Sequence, residues 1–348
     1  MKNKSLRRFH AGFGGREMTN ARRVRRLIAG ASFVCLALAP TLQAVTPAPD
    51  GDYPNQNTAE GEDALFSLIS GLDNTAVGYH SLYANTVGAG NTGVGFQSLA
   101  ANTTGNSNTG VGLYALSRNT TGYVNTAVGD YALFLTTTGY ANTATGSGAL
   151  QQNSTGSFNT ATGSSALQDN QTGSYNTAHG YHTLFFNITG SNNTAMGTEA
   201  MGGDPDYQMT GSNNTAAGYH SLHDNITGAG NTSYGTSALA NNSDGSSNTA
   251  LGLNALAVTS TGNSNIAVGN SAGANLTTGS NNIDVGSAGV SAESNAIRIG
   301  TNGTQTAAFI AGIRGTPVAG AVPIGISADG QLCVRGSSDR FKEAIKPM

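Results

Sequence analysis

Apolar and polar positions recur along this chain with a period of seventeen residues, and the phase holds from Asn57 to Val290. Each period opens with an Asn, at 57, 74, 91, 108, 125, 142, 159, 176 and 193 and then at 214, 231, 248, 265 and 282. A Gly follows four residues later in all fourteen periods, from Gly61 to Gly286. Twelve of the Asn residues are followed by Thr, and eleven periods place a Leu eight residues after the Asn, from Leu65 to Leu256. One unit reads roughly Asn-Thr-Ala-Val-Gly-x-x-Ala-Leu-x-x-Asn-x-Thr-Gly-x-x. Self-similarity at a fixed short period is the mark of a solenoid, in which each repeat is one coil stacked on the next. The expected fold is mainly β, a parallel β-solenoid or β-roll of fourteen 17-residue coils over residues 57–294.

Within a coil, Asn-Thr-Ala-Val alternates β-branched with small residues and suits a short strand. The Gly ends it, either because φ is positive there or because a neighbouring backbone comes close. The following x-x-Ala-Leu-x-x-Asn is compatible with a second short strand or a single helical turn, and the Ala-Leu pair with a later Gly favours the turn. Stacking would align the Asn residues into a ladder whose amides hydrogen-bond from coil to coil. Leu would form an internal apolar ladder and Ala a tightly spaced one beside it. With so little apolar side chain per coil the core is thin, which predicts lateral association into a homo-oligomer. At about 4.8 Å per coil, fourteen coils span roughly 65 Å.

Two irregularities interrupt the pattern. The step from Asn193 to Asn214 is 21 residues, an insertion around Gly202-Gly203-Asp204-Pro205-Asp206-Tyr207 that reads as a surface bulge or as a loop on a binding face. Near the end Ile266 and Ile283 replace Thr, and Gly273 and Val290 replace Leu, so the solenoid is expected to give way to a neck or stem over 295–336.

Composition narrows the class. Charged residues are 10% of the 348, Trp is absent and there are 49 Gly, too few helix formers for a bundle. Disorder is excluded because buried-type residues hold fixed columns through fourteen periods. Arg22, Arg23, Arg25 and Arg26, the apolar run Leu27–Pro40 and Leu42-Gln43-Ala44 form the three parts of an export signal, so 1–44 reads as a signal peptide and 45–56 as a linker. Outside 1–44 seven basic residues face eighteen acidic ones, a formal balance of −11, and Arg118 is the single cation between Asn57 and Ser294. A nucleic-acid partner needs clustered cations and is excluded. With Cys35 in the signal, Cys333 is the only thiol left and no intrachain disulfide forms.

The Asn-Thr-Ala-Val-Gly unit resembles the head repeats of the YadA-type trimeric autotransporter adhesins. The resemblance covers 57–294 and implies a trimerising β-roll. Further on, Asn295-Ala-Ile-Arg-Ile-Gly-Thr, Thr306-Ala-Ala-Phe-Ile-Ala-Gly-Ile-Arg-Gly, Gly330-Gln-Leu and Ser337-Ser-Asp-Arg-Phe-Lys-Glu-Ala-Ile resemble a junction found in phage-tail-fibre-like bacterial proteins, just before the endosialidase-type intramolecular chaperone. That resemblance implies a chaperone that cuts itself off with a Ser-Lys dyad, here Ser337 as nucleophile (Ser338 as the alternative) and Lys342 as base, with the cut between Gly336 and Ser337. A Ser nucleophile needs a proton acceptor, and a Lys serves when desolvation lowers its pKa. Residues 337–348 match only the start of such a domain, so a truncated chaperone without self-cleavage is expected.

His80, His182 and His220 share one repeat column, but at least two coils separate any pair. No metal site is therefore expected, and they read as polar members of an exposed column. The acids form no recurrent pair for glycosidase chemistry and the glycines no phosphate loop. No cofactor is implied. The functional expectation is a non-enzymatic, exported, homotrimeric fibre protein of the bacterial cell surface or its surroundings, attaching to a cell-surface or glycan ligand. A self-processing precursor is one alternative. An ice-binding solenoid is another, weakened because the chain neighbour of the Thr is Ala rather than a second Thr.

Overall fold

The computed structural model describes residues 54–310, 324–327 and 330–334. Fifteen three-residue strands, from Thr58–Glu60 to Ile297–Ile299, form one parallel sheet in strict sequence order. Each strand pairs with the next in register, Thr58 with Thr75 and Ala59 with Ala76, so each coil repeats the backbone of the last. The parallel β-solenoid read from the sequence is thus present. Its sheet reaches Ile299, past residue 294, because a last coil of fourteen residues pairs Ile283 with Ile297. A separate antiparallel hairpin joins Ile324–Ile326 to Leu332–Val334.

Numbering each coil from its Asn, positions 1, 3, 8 and 9 point inward. The position-1 Asn is the clamp that closes the coil. The Asn74 backbone N–H donates to Asn57 Oδ1 (2.9 Å), and its Nδ2 donates both to that oxygen (3.0 Å) and to the Gly88 carbonyl at the far end of its own coil (2.9 Å). The backbone bond to the preceding Oδ1 recurs through Asn282. A second ladder runs at position 12, where Asn102 Nδ2 donates to Asn85 Oδ1 and Asn119 Nδ2 to Asn102 Oδ1, both at 2.7 Å. It stops where the next coil offers no Asn: Asn119 Oδ1 beneath Thr136 and Asn187 Oδ1 beneath the insertion lack hydrogen-bond partners. Both ladders are fully buried.

The expected helical turn is absent; no helix occurs among the described residues. Positions 7 and 9 are left-handed, as at His80 (φ 53°) and Leu82 (φ 51°), and alternating hands cannot propagate a helix. The alternation turns both position 8 and position 9 into the core, where Leu82 through Leu256 and Met201 lie fully buried beside the Ala column. The position-5 Gly is needed on both counts raised by the sequence. Gly112 has φ +135°, and a Cβ there would sit 2.5 Å from the Gly129 carbonyl oxygen of the next coil. The insertion closes by burying Met209, whose backbone bridges to Asn187.

The inward Ala column ends in charge. Asp284 replaces Ala at position 3 and is 2% exposed, and its register partner is Arg298. Arg298 binds Glu293 through Nε and one terminal nitrogen, each at 2.7 Å. Burial raises the Asp284 pKa, with Arg298 pulling the other way, whereas the Arg298 hydrogen bond lowers that of Glu293.

Candidate functional surfaces

Positions 2 and 4 flank the inward position 3 and face outward on the sheet, since side chains alternate along a strand. The outward neighbour of the Thr is therefore position 4, not the Ala that follows it in the chain. Position 4 is Val at 77, 94, 111 and 128, then Thr145 and Thr162, and later Met196, Tyr234 and Leu251. Beyond the Gly, position 6 adds Tyr79, Phe96, Leu113 and Leu253, all more than a third exposed. The two columns make an exposed apolar stripe, densest over residues 77–113 and 251–253, on a stack whose other outward positions are mostly Thr, Ser, Asn and Gly.

A second aromatic line lies near the coil ends. Tyr123, Tyr140, Phe158 and Tyr175 come from successive coils with ring centroids 4.7, 5.1 and 4.8 Å apart. The Tyr123–Tyr140 and Phe158–Tyr175 contacts are face to face and the Tyr140–Phe158 contact is edge-on, so part of the ring surface in this line is covered by its own members.

The polar chemistry concentrates in column 7. A His there stacks on its position-6 neighbour, as in Tyr79–His80 at 3.9 Å and Tyr219–His220 at 4.0 Å. The left-handed residue also brings position 7 beside position 10, giving His80–Tyr83, His182–Phe185 and His220–His223 ring contacts of 4.6, 4.6 and 4.5 Å. Where the preceding coil carries an acid in the column, the His pairs with it: His80 Nε2 lies 3.3 Å from Asp63 Oδ2, and His220 Nε2 contacts Glu199 Oε2. His223 Nδ1 lies 2.6 Å from Asp224 Oδ1.

Glu199, His220 and His223 thereby place three donor atoms within 4.8 Å of one another, the one such group among the described residues. The sequence reading compared only the histidines of one column, which stay apart because Glu199 intervenes between His182 and His220. It missed Glu199, His223 and Asp224. The signal lay in reading acids along with histidines in column 7 and in the His-x-x-His spacing of 220 and 223.

Ser337, Ser338 and Lys342, read as a self-cleavage dyad, lie outside the described residues, as do the signal peptide 1–44 and, within 295–336, residues 311–323, 328–329 and 335–336. Part of the junction motif is described: Asn295-Ala-Ile-Arg-Ile-Gly forms the last strand of the solenoid and its flanks. No protein-family model matches the chain, and no curated protein matches it in sequence.

Proposed function

We propose that the solenoid is the shaft of an exported homotrimeric fibre that serves structure or adhesion, with copies packed side by side along the position-4 and position-6 stripe. The observation that carries this reading is the exposed apolar stripe itself. Exposed patches of that kind mark association surfaces. A stripe repeating at the coil spacing is matched along its whole length by a surface of equal spacing, which a second copy of the chain provides. The resemblances to trimeric adhesin heads and to the tail-fibre junction point the same way, and the polar faces left over would meet a cell-surface or glycan ligand. The acidic balance keeps such a shaft away from nucleic acid.

Light scattering on the full chain tests it. A trimer is expected, and Leu251→Lys with Leu253→Lys should shift it toward monomer while the β circular dichroism is retained. A folded monomer at micromolar concentration, with unchanged mass in the double variant, overturns the reading. One observation favours a second: outward Thr and Val or Thr at positions 2 and 4 form two regularly spaced columns from Thr75 to Thr162. If the chain is monomeric that face is free, and thermal hysteresis then decides for or against ice binding.

A further inference from the structure

We propose that Glu199, His220 and His223 bind a transition-metal dication of the zinc class, with Asp224 orienting His223. The inference does not rest on the fibre reading, since all four residues come from two adjacent coils of one chain.

The geometry follows from the repeat. Column 7 stacks His220 next to Glu199, and the left-handed backbone at His220 (φ 52°) turns position 10, His223, to the same spot. Ligand bonds of about 2.0–2.1 Å in a tetrahedron put donors roughly 3.3 Å apart. The present donors lie within 4.8 Å of one another. Side-chain rotation of these partly exposed groups closes the rest. With the proton on Nδ1, donated to the Asp224 carboxylate 2.6 Å away, His223 would keep Nε2 for the metal, the carboxylate–histidine–metal arrangement. Two imidazoles and one carboxylate suit zinc, nickel or copper rather than the all-oxygen shells of calcium and magnesium. Three protein donors leave the fourth position to water or a ligand.

The neighbourhood is shaped around the group. The residue at position 10 of the Glu199 coil is Gly202, where the preceding coil has Phe185. A Cβ on Gly202 would come 3.1 Å from the Glu199 carbonyl oxygen, 3.2 Å from its Cα and 3.3 Å from its Cβ, so a side chain there would crowd the base of the Glu199 side chain. The inserted loop leaves from this Gly, and Gly203 N–H donates to the His223 carbonyl at 3.0 Å. An ion here would pin the irregular coil to the regular one that follows.

His80 with Asp63 is the internal control. It has the same column pair, yet position 10 is Tyr83, so the third donor is missing. An ordinary surface ion pair would make the two sites behave alike.

The test is zinc binding to the metal-free full chain, by competition with a chromogenic chelator and by cobalt absorption. One ion per chain is expected. His220→Asn and His223→Asn should each weaken binding by at least roughly tenfold and Asp224→Asn by roughly tenfold, the size of outer-shell effects, with His80→Asn unchanged. Asn is chosen because it tolerates the left-handed conformation at 220. On the unmutated protein, zinc should protect His220 and His223 from diethyl pyrocarbonate but not His80 or His182. The proposal fails if zinc does not bind stoichiometrically, if both His variants bind as the parent does, or if protection is equal at all four histidines.

Discussion

Position 9 shows how a backbone conformation selects a side chain. The column is Leu in eleven coils and Met in one, and its one β-branched member, Val290, stands in the last coil where the backbone is not left-handed, although all are apolar and of similar use in a core. The reason is φ: every Leu from Leu65 to Leu256 sits near +50°, where a branched Cβ is crowded more severely than an unbranched one. Leu150→Ile, ordinarily a swap costing under about 1.5 kcal/mol, should here lose more than that, about 2 kcal/mol or above, because branching at Cβ adds to the crowding Leu already bears in the left-handed region. Leu150→Met should stay under about 1.5 kcal/mol. Chemical denaturation of the two variants settles it, and equal losses would discard the argument. The Leu column was plain in the sequence and its burial followed from phase. Its handedness was not, because periodicity reports which residues are inside and not the sign of φ, and so a helical turn was the natural reading of Ala-Leu before a Gly.

Coils are the elements of this fold, and they communicate through substitutions that travel in pairs. Where position 8 is Ser instead of Ala, position 3 of the next coil ceases to be Ala: Ser81 faces Gly93, Ser98 faces Gly110 and Ser221 faces Ser233. Ser98 Oγ donates to the Gly110 carbonyl at 2.9 Å, and a Cβ on Gly110 would fall 2.6 Å from that oxygen. Gly110→Ala should therefore destabilise by about 1–3 kcal/mol, the usual range for overpacking. Adding Ser98→Ala should recover most of that, since the pair Ala–Ala is what most other coils carry. A double-mutant cycle in urea reads the coupling, and strict additivity would show that the two residues do not share the space. This pairing was legible in the sequence once coils were aligned, as was the Asn clamp. The Glu199–His220–His223 group was less so, because its members belong to two columns and meet only through the turn between positions 7 and 10.

A stack of identical coils must also stop, and the described solenoid ends by placing charge where its core would continue. In repeat arrays each unit is held by its neighbours, and a polar terminal unit keeps the last face from adding another. Asp284 and Arg298 occupy consecutive rungs of the inward column that is Ala through most of the molecule, with Glu293 gripping the Arg from outside. Such an end costs stability. Burial is the largest influence on Asp284 and raises its pKa, and one of its oxygens, Oδ2, has no partner. A carboxyl that holds its proton more tightly in the folded chain than in the unfolded one makes folding less favourable as pH rises through its folded pKa, and more favourable as pH falls toward the unfolded value. Glu293, whose pKa is lowered by Arg298, has the opposite sign: its contribution is present above the ordinary Glu range and is lost on acidification through its folded pKa. Asp284→Asn removes the first effect and keeps the second. The variant should thus melt at a higher temperature than the parent at pH 7, and the gap should shrink as pH falls into the carboxylate range, leaving the Glu293 loss common to both. Melting curves of the two proteins between pH 3 and pH 7 check this. A gap that does not change with pH would mean that the ionised Asp284 is not what weakens the end, and the charged rung would then have to act through its shape alone.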